Sequence, residues 1–149
     1  QPLLGFSHEE LVRCLDVNTW APFVLAKGIA AQCREGAIIN FLDTMIADYD
    51  RAHVPYHLSK QMLFSLTRMM AMDFAPRVRV SAVAPGLVLP PEGEDAGYLK
   101  RLSHTNPLQR HGAEEGVCEA VLFLLRSGFV TGQVIFVDGG RHLRGKMYG

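Results

Sequence analysis

Residues 37–86, AIINFLDTMIADYDRAHVPYHLSKQMLFSLTRMMAMDFAPRVRVSAVAPG, set two short apolar runs on either side of one long helical pattern. Residues 37–42 (AIINFL) follow the punctuating Gly36 and are apolar except for Asn40, as in a strand buried on both faces. Residues 43–51 are polar and irregular and read as a loop. Pro55 suits the first turn of a helix, where its missing N–H costs nothing, and the pattern runs on to about Phe74, before Pro76. Residues 78–83 (VRVSAV) read as a second strand, which Pro85-Gly86 breaks. Strands alternating with helices in this way predict an α/β layer fold with a parallel sheet.

The same alternation extends in both directions. Upstream, Ser7 and Glu10 form a capping box, and Leu11, Leu15, Val24, Leu25 and Ile29 recur at roughly helical spacing to about Gln32. Pro22 falls inside that stretch and should kink it. Downstream, residues 87–110 hold Pro90, Pro91, Gly93 and Pro107, which predicts a long loop with a short helix near 96–102. Residues 114–125 read as a helix ending near Gly128, and residues 134–137 as a last strand before Asp138-Gly139-Gly140. Three strands are fewer than a doubly wound sheet requires, and no G-x-G-x-x-G turn is present, although such a turn belongs to the first strand of that fold.

With 149 residues the chain has room for one domain and a substantial core, but not for two. Fifteen basic residues balance fifteen acidic ones, so no global charge points to nucleic acid or a membrane surface. The longest apolar runs are too short to span a bilayer. Cys14, Cys33 and Cys118, odd in number and widely spaced, suit reduced core thiols of a cytoplasmic protein better than a disulfide framework.

Tyr56 and Lys60 stand four residues apart, one turn of one helical face. A phenol ionises near pH 10, too high for easy acid–base work at neutrality. A neighbouring ammonium favours the phenolate and is expected to lower that value. Taken alone, Y-x-x-x-K is a short pattern that reads more readily as an amphipathic tyrosine and a solvated lysine. Its surroundings give it weight: Asp43 ends a buried strand thirteen residues earlier, Pro85-Gly86 ends the next, and Asp138 follows the last. Open α/β sheets bind ligands at those carboxyl ends.

This ordered set resembles the short-chain dehydrogenase/reductase family along essentially the whole chain. The resemblance matches Tyr56 and Lys60 to the family's Tyr-x-x-x-Lys pair, and Asn18 in DVNTWAPF to its structural and proton-relay asparagine. It matches VAPGLVLP to the turn that holds the nicotinamide carboxamide, with Val88 making backbone contacts, and FVTGQVIFVDGG to the final strand. It implies a Rossmann-type doubly wound sheet, of which residues 1–149 form the carboxy-terminal three-fifths of a single domain. The glycine-rich turn and the earlier strands would precede Gln1. Where most members carry Ser, this chain has Asp43, as the pteridine reductases do; the ending DGGRHLRG resembles their dihydromonapterin reductase branch. A carboxylate suits the N–H donors of a pterin ring, whereas a hydroxyl suits a carbonyl.

By that resemblance the activity is NADPH-dependent reduction of a dihydropterin. Tyr56 would supply or relay the proton, Asp43 would orient substrate or water, and Lys60 would hold the nicotinamide ribose. Phe41, Leu42, Pro85, Gly86, Leu87 and Val88 would border the cofactor. Apolar faces on the two long helices would make a homodimer or homotetramer. A carbonyl or alcohol oxidoreductase of the same family, and a non-catalytic nucleotide-binding module, stay open as alternatives. No metal is expected: His53 and His57 lie one turn apart but lack an H-E-x-x-H setting. Asp43 and Asp48 do not form a glycosidase pair. Met62, Met69, Met70 and Met72 read as packing residues. Residues 89–110 read as a substrate lid. Arg141, Arg144 and Lys146 form a basic, solvated tail, within which Arg141 or His142 is placed to reach substrate.

Overall fold

The computed structural model describes residues 1–91 and 93–144. In chain order the elements are α1 (His8–Leu15), a π-helical turn (Asp16–Trp20), α2 (Ala21–Gln32), β1 (Gly36–Phe41), α3 (Val54–Asp73), β2 (Val78–Pro85), α4 (Ala96–Leu102), α5 (Glu114–Arg126) and β3 (Val134–Val137). Short 3-10 turns cover Thr44–Ala47, Ser103–Thr105 and Arg141–Arg144. The three strands form one parallel sheet in the order β1-β2-β3, with Ile38 opposite Val80 and Val83 opposite Ile135. The predicted α/β layer architecture is therefore present.

The central strand is the most buried: Val80, Ala82, Val83 and Ala84 are each at 0% exposure. On one face Ala26 of α2 and Met70 and Ala71 of α3 pack with Ile38, Val78 and Val80. Leu63 of α3 closes over Ala82, Ala84, Leu42 and Ile46 on the same side. On the other face α5 lays Val117 and Leu124 against Val83. Asn40, the polar interruption in β1, is buried and donates to Thr67 Oγ1 at 2.9 Å. Thr67 in turn donates to the Leu63 carbonyl at 2.7 Å, so the pair is satisfied inside the core.

Several boundaries differ from the sequence reading. The single kinked helix expected over residues 8–32 is two helices joined by a π turn, in which the Ala21 amide donates to the Asp16 carbonyl. Pro22 thereby occupies the first turn of α2 rather than its middle. Its ring has no N–H for the carbonyl four residues back, that of Asn18, and the wider turn accommodates the deficit. β2 runs two residues beyond Val83, because residues 82–85 pair with all of β3. Ser7 and Glu10 do form the capping box, at 3.2 and 2.8 Å.

The 89–110 segment is less loose than its composition suggests: Asp95 caps α4, and Leu99 and Asn106 are buried. All three cysteines are free: half-buried Cys33 packs against the core around Ile38 and Val78, Cys14 is half-buried, and Cys118 is exposed on α5. Large apolar side chains stay exposed on α2 and α3, among them Val24, Leu25, Met62, Met69 and Met72. Among the described residues no helix is long and apolar enough to cross a membrane.

Candidate active site

The parallel arrangement brings the carboxyl ends of β1 and β2 side by side, and Asp43 stands two residues beyond Phe41, the last residue of the first. Its Oδ1 accepts from the Met45 amide at 2.7 Å, so the residue caps the 3-10 turn it begins. Its Oδ2 accepts from the Tyr56 hydroxyl at 3.3 Å. That is longer than the about 2.5–3.0 Å of a well-formed O–H···O bond. Tyr56 sits in the first turn of α3, 38% exposed, with its hydroxyl turned toward the end of β1. One turn on, Lys60 donates from Nζ to the Phe41 carbonyl at 2.9 Å, and the ammonium lies 5.6 Å from the centre of the Tyr56 ring.

The electrostatics invert one expectation. Partial burial and the Asp43 carboxylate push the Tyr56 phenol well above its ordinary value, despite the nearby ammonium. Burial also draws Lys60 below its usual range, with the Asp43 charge partly opposing that shift. The ammonium is committed to a backbone carbonyl, while the carboxylate is in direct line with the phenol. Tyr56 therefore holds its proton at neutral pH.

Asn18 lies in the π turn and donates from Nδ2 to Ser59 Oγ at 3.1 Å. Thr19 donates to the Ser59 carbonyl at 2.8 Å, and Ser59 Oγ donates to the Tyr56 carbonyl at 2.6 Å. This chain of bonds fastens the π turn to the segment of α3 that carries Tyr56 and Lys60. The Asn18 side chain reaches neither catalytic candidate directly; with Lys60 and Phe41 it lines a separate groove beside β1.

Asp43 and Tyr56 open on a cavity of about 740 Å³. Phe41, Leu42, Pro85, Gly86 and Val88 border it, and so does Leu89. Leu87 does not; it lines a neighbouring cavity with Asn106 and Phe136. The far wall is supplied by α5 through Glu114, Val117, Cys118, Val121 and Leu122, none of which the sequence reading singled out. Their helical spacing was visible, but not which face would turn toward the strand ends. The volume falls within the about 300–1,000 Å³ of small-molecule and cofactor sites, and the lining is mainly apolar with a few convergent polar groups.

Gly86 has a packing reason of its own. A Cβ there would stand 2.6 Å from Asp138 Cβ and 2.8 Å from Asp138 Cα, closer than side chains approach. The residue that crowds it, Asp138, follows the third strand and is the second of the two carboxylates at the strand ends. Asp138 does not face the cavity; it is 7% exposed and accepts from the Thr44 hydroxyl, the Gly140 and His142 amides and the His142 ring. His142 stacks on Phe136 with ring centres 4.1 Å apart. Its ring is committed to Asp138 and Phe136, and neither it nor Arg141 lines the cavity that holds Asp43 and Tyr56. Lys146 of the basic tail lies outside the described residues.

The histidine pair resolves similarly. His53 precedes α3 and pairs with Asp50 at 2.8 Å, whereas His57 is buried beside Tyr49. Among the described residues no group of three or more His, Cys, Asp or Glu is placed to hold a metal.

A parallel α/β sheet with a Tyr-x-x-x-Lys pair at its carboxyl edge defines a class, and comparison with known proteins agrees with it. The chain belongs to the short-chain dehydrogenase/reductase family: the family model described as enoyl-(acyl carrier protein) reductase matches residues 1–142. Among curated relatives, a dihydromonapterin reductase of Shigella boydii serotype 4 is 38% identical over 147 residues, covering 95% of this chain and 61% of that protein. A ketoacyl reductase of the granaticin polyketide synthase of Streptomyces violaceoruber is 36% identical over 131 residues, covering 85% of this chain and 53% of that protein. Among solved structures, FolM alternative dihydrofolate reductase 1 of Brucella suis, in complex with NADP, superposes with a TM-score of 0.91 at 29% identity. That match covers 96% of this chain and 59% of that one, so the chain spans between about half and three-fifths of these proteins.

Proposed function

We propose that this chain supplies the catalytic half of an NADPH-dependent reductase acting on a dihydropterin, which it converts to the tetrahydro form. The observation that carries the reading is the Asp43 carboxylate within 3.3 Å of the Tyr56 hydroxyl at the mouth of an apolar cavity. An ionised carboxylate only accepts hydrogen bonds. It suits the amino and ring N–H groups of a pterin and offers nothing to a carbonyl oxygen. The kinship to dihydromonapterin reductase and to the NADP-bound FolM structure supports both substrate class and cofactor.

The residues present fit a nicotinamide. Pro85, Gly86 and Val88 give an apolar ledge with backbone groups for its carboxamide, and Lys60 stands beside Tyr56 to meet ribose hydroxyls. NADPH when bound supplies the hydride. Tyr56, protonated at neutral pH, delivers the proton to the ring nitrogen, and Asp43 orients the ring through its N–H donors. Asn18 keeps the Tyr56–Lys60 turn in place through Ser59. Segments beyond this chain would complete the cofactor site, adding strands to the open edge of β1. The exposed apolar faces of α2 and α3 support a homodimer or homotetramer, and the free cysteines support a cytoplasmic setting.

The test is loss of NADPH absorbance in the full-length protein offered a 7,8-dihydropterin and, separately, a carbonyl panel. Turnover on the pterin that disappears in Tyr56→Phe and falls sharply in Asp43→Ser supports the reading. Turnover confined to carbonyls favours the second reading, a ketoreductase, to which the likeness to the granaticin enzyme points.

A further inference from the structure

The site described above leaves one buried carboxylate without a role. Asp138 ends β3, its side chain is 1% exposed, and it faces away from the cavity. A lone buried charge is costly, and this one is retained with an unusually full set of donors. Gly140 N donates to Oδ1 at 2.9 Å and His142 N donates to Oδ2 at 2.8 Å. The His142 ring adds Nδ1 at 2.9 Å from Oδ2 and 3.1 Å from Oδ1. Four of these contacts are local to the last turn; the Thr44 hydroxyl, ninety-four residues away in sequence, is not.

Thr44 is the residue after Asp43. It is 4% exposed, and its hydroxyl points inward to Asp138 while the Asp43 carboxylate points outward to Tyr56. Asp43 itself has few constraints: one capping bond to Met45 N and one long bond to Tyr56. Whatever fixes the backbone at residue 44 therefore fixes where the Asp43 carboxylate stands. The same Asp138 also abuts Gly86, the turn that ends β2, so a single residue just after β3 touches the turns that follow both β1 and β2.

We propose that Asp138 is a positioning residue for the reaction centre: through the Thr44 hydroxyl it sets the Asp43 carboxylate against Tyr56, and His142 holds Asp138 in the required orientation. The proposal rests on the reductase reading for its kinetic consequence, but not for its geometry. A side chain misplaced by about 1 Å costs on the order of a hundredfold in rate. Thr44→Val keeps the shape of the side chain and removes the hydroxyl; Thr44→Ser keeps the hydroxyl.

The experiment uses the full-length protein with NADPH and 7,8-dihydromonapterin, and kcat is referred to the concentration of NADPH-binding sites. Thr44→Val is expected to lower kcat by about 10–100-fold while KM for NADPH stays within about twofold, and Thr44→Ser is expected to restore most of the rate. An unchanged kcat in Thr44→Val, or a loss that Thr44→Ser does not rescue, overturns the proposal. If Thr44→Val aggregates, His142→Phe serves instead, since it keeps the stacking on Phe136 and the amide bonds; there a several-fold fall in kcat supports the idea and an unchanged kcat overturns it. If the wild-type protein reduces no pterin, the reductase reading fails separately. Crystal structures of wild type and Thr44→Val then decide the positioning role: the Asp43–Tyr56 separation should lengthen by about 1 Å, and an unchanged separation sinks it.

Discussion

Asp43 and Asp138 are the same residue type at the ends of strands in one parallel sheet, yet the fold treats them in opposite ways. Asp138 receives hydrogen bonds from Thr44, from two amides and from an imidazole, and has almost no exposed surface. Burial alone would raise its carboxyl, but these donors outweigh burial and hold it below the ordinary carboxylate range. Asp43 receives one amide bond and one long phenol contact, at the edge of an open cavity. A saturated carboxylate is a structural fixture, whereas one with free acceptor capacity facing a cavity can serve a ligand. Position at a strand end does not separate the two roles; the count of donors does.

The largest expected effect breaks the open end. Tyr56→Phe removes the hydroxyl that donates to Asp43 Oδ2 and should lower kcat for pterin reduction by about 10²–10⁴-fold, with NADPH binding retained. Fluorescence titration of NADPH alongside the turnover assay checks both halves. Next comes the saturated end: Asp138→Ala strands the Thr44 hydroxyl and the amides of Gly140 and His142, and should cost about 3 kcal/mol of stability by denaturant unfolding. A loss below about 0.5 kcal/mol would put Asp138 among ordinary surface residues.

Gly86→Ala is a milder way to press on the same contact. Its Cβ would meet backbone as well as side chain of Asp138, so a loss of about 1–3 kcal/mol is expected from overpacking. Acid titration sharpens the comparison further. Because the folded-state carboxyl of Asp138 is depressed, its contribution is complete above the unfolded value of about 3.9 and is lost as pH falls through the folded value. The stability gap between wild type and Asp138→Asn should accordingly narrow on acidification; a gap independent of pH would mean that the charge is not what matters. The smallest effect belongs to Asp43→Asn, which keeps the capping oxygen and should change stability by no more than about 0.5 kcal/mol while reducing turnover.

Much of the scaffold was legible in the residues. The short helix expected near 96–102 and the last strand at 134–137 coincide with α4 and β3, because Pro and Gly residues punctuate the segment around one and an apolar run before Asp-Gly-Gly marks the other. The Tyr56–Lys60 pairing followed from helical periodicity alone, and the two side chains do lie together. The π turn was not legible, since Pro22 announces an interruption without saying how the backbone resolves it. Nor was the α5 wall of the cavity, because amphipathic spacing gives a helix a face but not the element it will cover.

What the sequence by itself determined was the class of fold and the candidate groups for its site: periodicity, turn residues and the Y-x-x-x-K spacing are local properties of the chain. Only the tertiary structure decided how those groups behave. It turned the expected lowering of Tyr56 into a raising, since Lys60 is drawn to the Phe41 carbonyl while Asp43 faces the phenol. It also separated Asp43 from Asp138, joining the second to Thr44 across ninety-four residues. Burial, donor count and charge separation depend on which distant segments meet, and no local pattern contains them.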